Sequence, residues 1–140
     1  MQLGQYAEYY AKIKIASYCF DVYTYEVDDH GIDFIAKAKD GKFLAFQVKS
    51  MCKTNYVFMQ KTKWNIDDPN TFLVLLLFED GKLPETYLIP AIAWKIPNKL
   101  LCDKDYEGLK SNPEYGLNLS KANMPLLHPF KLEEVFNSFL

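Results

Sequence analysis

Apolar and polar positions along this chain follow two periods, and the changes of period mark its elements. Residues 2–18 (QLGQYAEYYAKIKIASY) repeat at helical spacing, with Leu3, Tyr6, Tyr10, Ile13 and Ser17 near one face. Phe20–Val27 alternates and predicts a first strand, ended by the turn residues Val27–Gly31. Two apolar runs, 32–38 and 42–49, then flank Lys39-Asp40-Gly41, and Asp-Gly between such runs is a hairpin signal. Residues 71–78 are apolar at every second position and between, as in a strand covered on both faces. Glu79-Asp80-Gly81-Lys82 predicts another turn into a strand at 86–89. Pro90–Lys95 reads as a short helix with Pro in its first turn, and Lys131–Leu140 as a closing helix with Leu132, Val135, Phe136 and Phe139 on one face. The polar, mixed stretch 50–64 reads as an irregular or helical segment. Residues 97–127, with Pro97, Pro113 and Pro125, read as connections. Together these predict an α/β fold: an N-terminal helix, a β-meander, and a mixed central sheet with helices on both sides.

The hairpin at residues 32–49 admits two registers. A two-residue loop at Asp40-Gly41 places Asp33 opposite Val48. A three-residue loop, with Gly41 in the left-handed conformation, places Ala38 opposite Lys42 and Asp33 opposite Gln47. A slip of one residue flips every side chain to the other face. Only the three-residue loop gathers Ile32, Phe34, Ala36, Ala38, Leu44, Phe46 and Val48 on one wholly apolar face. It leaves Asp33, Gln47 and Lys49 together on the opposite face.

That trio has a chemistry. Hydrolysis of a phosphodiester needs an activated water and stabilisation of the charge that builds on phosphorus. A Mg²⁺ or Mn²⁺ ion held by a few oxygen ligands serves both needs. Asp33 would supply a carboxylate oxygen, Gln47 an amide oxygen, and the Val48 backbone carbonyl a third ligand. Lys49 would hold the attacking water and meet the developing charge. Gln47 in place of an acid removes one negative charge, which predicts weaker metal affinity with the geometry kept. Glu8, on the first helix, is a fourth candidate to orient the metal-bound water. Its spacing to Lys12 equally fits an exposed i, i+4 ion pair. Glu26, Asp28, Asp29 and His30 stand near the trio in sequence as further polar neighbours.

Composition narrows the partners. A length of 140 residues predicts one domain, 1–140, and a 49% hydrophobic content is enough for a sizeable core. No apolar run has transmembrane length, and the start, MQLGQYAEYYAK, lacks the pattern of a secretory signal, so the cytoplasm is the expected compartment. Cys19, Cys52 and Cys102 have neither metal nor disulfide spacing. The net charge of −2 is not that of a general nucleic-acid binder. Its distribution is uneven, however: residues 37–63 hold seven lysines and one acid. Lys53, Lys61 and Lys63 are the candidate phosphate contacts in that stretch, with Tyr56, Phe58 and Trp64 interleaved as candidate stacking rings. All 16 basic residues are lysine, so bidentate reading of guanine by arginine is excluded.

Glu in an N-terminal helix, then Gly-Ile-Asp, then Gln-Val-Lys at the end of the next strand resembles the restriction endonuclease-like, or PD-(D/E)xK, nuclease superfamily. Order and spacing are similar to Holliday junction resolvases, and D…QxK is similar to Mrr-type endonucleases. The resemblance covers roughly residues 3–50; ETYLIPAIAWK and YGLNLSKANMPLL look like a bacterial branch of the superfamily. Here the usual Glu is Gln47, and the proline before the acid is Ile32. The resemblance implies a restriction endonuclease-like fold and catalytic roles for Glu8, Asp33, Gln47 and Lys49. The expected function is a Mg²⁺-dependent DNA endonuclease acting on branched or damaged DNA or in defence. The alternative is a nuclease-fold module that binds nucleic acid or a partner protein without cutting. Cleavage of two strands would suit a homodimer, since two sites must address two phosphates.

Overall fold

A computed structural model describes residues 3–24, 31–52 and 55–139 of the chain. The first helix, α1 (Leu3–Ala16), is followed by strands β1 (Asp21–Thr24), β2 (Phe34–Lys37) and β3 (Phe43–Met51). After β4 (Tyr56–Gln60) come β5 (Thr71–Leu77) and β6 (Glu85–Pro90). The remainder holds β7 (Leu101–Lys104), β8 (Glu114–Asn118), the single-turn helix α2 (Met124–Leu127) and α3 (Leu132–Phe139). The expected first strand is described only as far as Thr24, and Glu26, Asp28, Asp29, His30 and Lys53 lie outside the described residues.

The central sheet has the order β1-β2-β3-β5-β6. It is mixed: β3 and β5 run parallel, and every other pair is antiparallel. One face is closed by helices. Ala7, Ala11 and Ile15 of α1 and Leu132 and Phe136 of α3 bury against Phe34, Ala36, Leu44, Phe46, Phe72, Val74 and Leu76. Phe34, Phe46 and Phe72 stack across three neighbouring strands, with ring centroids 4.9 and 5.9 Å apart.

Helix α1 is rotated from the expected face. Leu3, Tyr6 and Ile13 are exposed, Tyr10 is half-buried, and the buried stripe is Ala7–Ala11–Ile15. Small side chains at i and i+4 let the helix backbone lie close to the sheet, and the larger rings settle on its flanks. Tyr6, for example, packs against Phe78 with ring centroids 5.7 Å apart.

The other face departs from the expectation of covering helices. A second sheet, of order β4-β8-β7, lies there. Val57, Met59, Leu101 and Leu117 pack onto Leu73, Leu75, Tyr87 and Ile89, with Trp64, Trp94 and Leu127 filling between. Thus 50–64, expected as an irregular or helical segment, carries β4, and 97–127, expected as connections, carries β7 and β8. The signal in β4 was period-two burial, with Val57 and Met59 inward and Tyr56, Phe58 and Gln60 outward. Strands β7 and β8 have four and five residues. Such short runs gain their pairing from neighbours distant in sequence rather than from propensity.

Strand β5 is buried through Leu76 on both faces, as its composition required. Residues 91–95, expected as a short helix, form a 3-10 turn after Pro90. No helix among the described residues is long and apolar enough to cross a membrane.

Candidate active site at the β2–β3 hairpin

The hairpin takes the three-residue loop. Phe34 opposes Phe46 and Lys37 opposes Phe43. Ala38 N–H donates to the Lys42 carbonyl at 2.8 Å, and Gly41 N–H donates to the Ala38 carbonyl at 2.9 Å. Gly41 has φ +87°, a conformation that costs any residue with a Cβ. Asp40 Oδ1 accepts from Lys42 N–H at 2.9 Å and fastens the turn.

This register sets the distances at the other end. Asp33 stands one residue before β2, where its N–H donates to the Phe46 carbonyl at 2.8 Å. Its carboxylate Oδ2 accepts from the Val48 N–H at 2.6 Å. The carboxylate therefore continues the ladder where β2 has not yet begun, in line with the strands rather than standing off their face. It lies beside the residue between Gln47 and Lys49. The carbonyl of a strand residue points to the same side as its N–H, so the Val48 carbonyl faces the Asp33 side as well. Gln47 and Lys49 alternate with Val48 and share the other face of β3, opposite Leu73 and Leu75 of β5. Both are half-buried.

Gln47 is the informative neighbour. Its Oε1 is buried and has no hydrogen-bond partner. A buried carbonyl oxygen left without a donor costs roughly 1–3 kcal/mol, a cost that an ordered water or a bound ion removes. The oxygen faces Gly31, whose φ of +75° brings the backbone in close. A Cβ on Gly31 would sit 3.6 Å from Gln47 Oε1 and 3.2 Å from the Lys63 carbonyl. Gly31, which the sequence showed only as a turn residue, thus closes one wall of the site. The available donors are Asp33 carboxylate, Gln47 amide and Val48 backbone oxygens, a set suited in kind to a hard divalent cation. No group of three or more His, Cys, Asp or Glu side chains is arranged for a metal among the described residues.

The other candidates fall in different places. Glu8 lies on α1, which packs on the helix-covered face, and its Oε1 pairs with Lys12 Nζ at 3.0 Å. This is the ion-pair arrangement that i, i+4 spacing allowed. Lys61 is held by Asp103 and by Asp105 (2.6 Å), with its ammonium 4.7 Å from the Tyr115 ring centroid. Burial works to lower its pKa, but the two aspartates outweigh it and raise the value above the ordinary lysine range. Its charge is therefore neutralised within the protein. Lys63 is exposed, makes no ion pair among the described residues, and adjoins Gly31. A cavity of about 450 Å³ opens on this side, lined by Ile32, Thr62, Lys63, Trp64, Asp68 and Tyr115 among others. Of the expected stacking rings, Trp64 is buried, Tyr56 donates its hydroxyl to Glu114, and only Phe58 is exposed.

The fold is restriction endonuclease-like, with an N-terminal helix leading into a mixed central sheet with flanking helices. It is similar to a solved structure of Hjc from Archaeoglobus fulgidus, a Holliday junction resolvase from an archaeal hyperthermophile. The TM-score is 0.52 and the identity 12%, over 89% of each chain. No family model matches the chain, and the comparison with curated proteins gives no match.

Proposed function

We propose that this protein is a divalent-metal-dependent DNA endonuclease whose site is Asp33, Gln47, the Val48 backbone carbonyl and Lys49. The observation that carries the reading is the Asp33 carboxylate bonded at 2.6 Å to the Val48 N–H, between Gln47 and Lys49 in the chain, with Gln47 Oε1 buried and unpartnered. Fold similarity to a Holliday junction resolvase supports DNA, and branched DNA in particular, as the polymer.

Asp33, Gln47 and Val48 would hold Mg²⁺ or Mn²⁺, which when bound supplies Lewis-acid polarisation of a phosphoryl oxygen and a water of lowered pKa. Lys49 would hold that water beside the phosphorus and place a positive charge where the pentavalent state gathers negative charge. The Val48 N–H fixes the Asp33 carboxylate in place. Gln47 contributes an oxygen without charge, so metal affinity is weaker than that of a two-carboxylate site. Two copies acting together would address two strands.

The test is cleavage of labelled duplex, single-stranded, nicked, flap and four-way-junction DNA with Mg²⁺ or Mn²⁺. Wild type is expected to cut at least one, with Lys49→Ala and Asp33→Asn reduced by 10²-fold or more. Salt-sensitive binding without cutting by wild type would replace this reading with that of a non-cleaving module, for which the missing second acid already argues.

A further inference from the structure

The second sheet covers β5 and β6, and it leaves part of the same face of the central sheet open at β1–β3. Register places Asp21 and Tyr23 of β1, Ile35 and Lys37 of β2, and Phe43, Ala45, Gln47 and Lys49 of β3 on that face. The alternate residues Val22, Ala36, Leu44 and Phe46 are turned into the helix-covered core. On the open face two rings stand in solvent: Tyr23 is 49% exposed and Phe43 52%. They meet across β2 with centroids 6.3 Å apart. Lys37 Nζ lies 5.7 Å from the Phe43 centroid.

A pair of aromatic rings exposed on a sheet is a common cross-strand contact and need not bind anything. Two further observations give this pair an occupant. First, its charge: Lys37, and Lys39 and Lys42 at the hairpin tip, form no ion pair among the described residues. Of the two acids nearby, Asp21 and Asp40, the latter is engaged with the turn backbone. Lysines beside exposed rings match a polyanion with flat apolar faces. Second, its place: Phe43 and Gln47 lie on one strand face four residues apart, about 13 Å. That is the span of roughly two nucleotides, so a strand stacked on Phe43 would carry a phosphate to the candidate site.

The geometry points to the open face of β1–β3 as a platform for a single-stranded nucleic-acid segment. Tyr23 and Phe43 stack on unpaired bases, and Lys37, Lys39 and Lys42 contact the phosphates. In combination with the proposed function, the substrate class is a nucleic acid with unpaired nucleotides next to the cut. A continuous duplex could not present its base faces to the rings, because they are stacked on each other.

The experiment measures binding rather than cutting, with metal omitted. A fluorescein-labelled 15-nucleotide oligothymidylate and a blunt duplex of equal length are titrated by anisotropy at several salt concentrations. Wild type is expected to prefer the single strand. Tyr23→Ala/Phe43→Ala is expected to weaken it about tenfold or more, and Tyr23→Phe/Phe43→Tyr to retain it, while Ile96→Ala, an exposed apolar position elsewhere, has no effect. Thermal melting confirms that each variant is folded. Equal binding of single strand and duplex, or single-strand binding insensitive to removal of both rings, overturns the platform. Ring-dependent binding by a protein that cuts nothing upholds the platform and sinks only the nuclease reading.

Discussion

Gln47 is where the site differs most from a two-acid metal centre, and its physics can be tested directly. Its Oε1 is buried without a partner. Gln47→Glu would place a carboxylate there, and burial raises a carboxylate's pKa above its ordinary value near 4.3. A group whose folded pKa is raised stabilises only below its unfolded pKa, and that stability is lost as pH rises. Without metal, the variant should therefore melt below wild type at pH 7, by roughly 1–3 kcal/mol. The gap should close as the pH falls to about 4. Millimolar Mn²⁺ should also close it, and the added charge should tighten metal binding at least tenfold, measured by calorimetry. A melting curve indifferent to Mn²⁺ in both proteins would remove the metal from this site.

The hairpin is the element that assembles the site, and its register was legible from the residues alone. Phe34, Ala36, Leu44 and Phe46 must share a buried face, and only the Gly41 loop allows it. No atom would contact a Cβ on Gly41, so Gly41→Ala is penalised by backbone conformation and not by crowding. The expected loss is about 1–2 kcal/mol in denaturant unfolding, with Gly41→Asn milder. A neutral Gly41→Ala would mean that the loop relaxes to another type and that the register has a second support. Helix α1 shows the opposite case. Its periodicity predicted the helix, but two apolar stripes competed for the core, and the sheet selected the alanine stripe because it permits the closer approach.

At the scale of the whole molecule, one tyrosine–glutamate pair joins two strands of the second sheet and another lies along β6 of the central sheet. Tyr56 of β4 donates to Glu114 of β8, and Tyr87 of β6 donates to Glu85 at 2.6 Å. Burial first, then the hydrogen bond to the glutamate, raises both phenols above the ordinary value of 10. Their contribution is therefore complete below pH 10 and is lost as the pH rises beyond it. Denaturation midpoints between pH 8 and 11 should fall steeply above 10 for wild type. The fall should be shallower for Tyr56→Phe, which begins lower because Glu114 then loses its partner. An identical slope in the two proteins would show that this pair does not control alkaline stability. Gly116 belongs to the same device: a Cβ there would overlap the Tyr56 phenol, so the ring can lie on β8 only over a glycine.

By itself the sequence determined the local terms. The helical period of α1 and α3, the doubly buried run of β5, the Asp-Gly turn and the Gly41 loop all follow from steric and burial rules acting over a few residues. These terms were also enough to bring the Asp33 carboxylate to the Val48 N–H, between Gln47 and Lys49 in the chain, because these residues share one hairpin. Only the tertiary structure decided which stripe of α1 is buried, that Lys61 is neutralised by Asp103 and Asp105, and that a second sheet closes half of the central sheet's other face while leaving Tyr23 and Phe43 open. Each of those outcomes depends on partners forty or more residues away or on the fit between whole layers. Such contacts leave no period in the local sequence, since their energy belongs to a pair of surfaces and not to a segment.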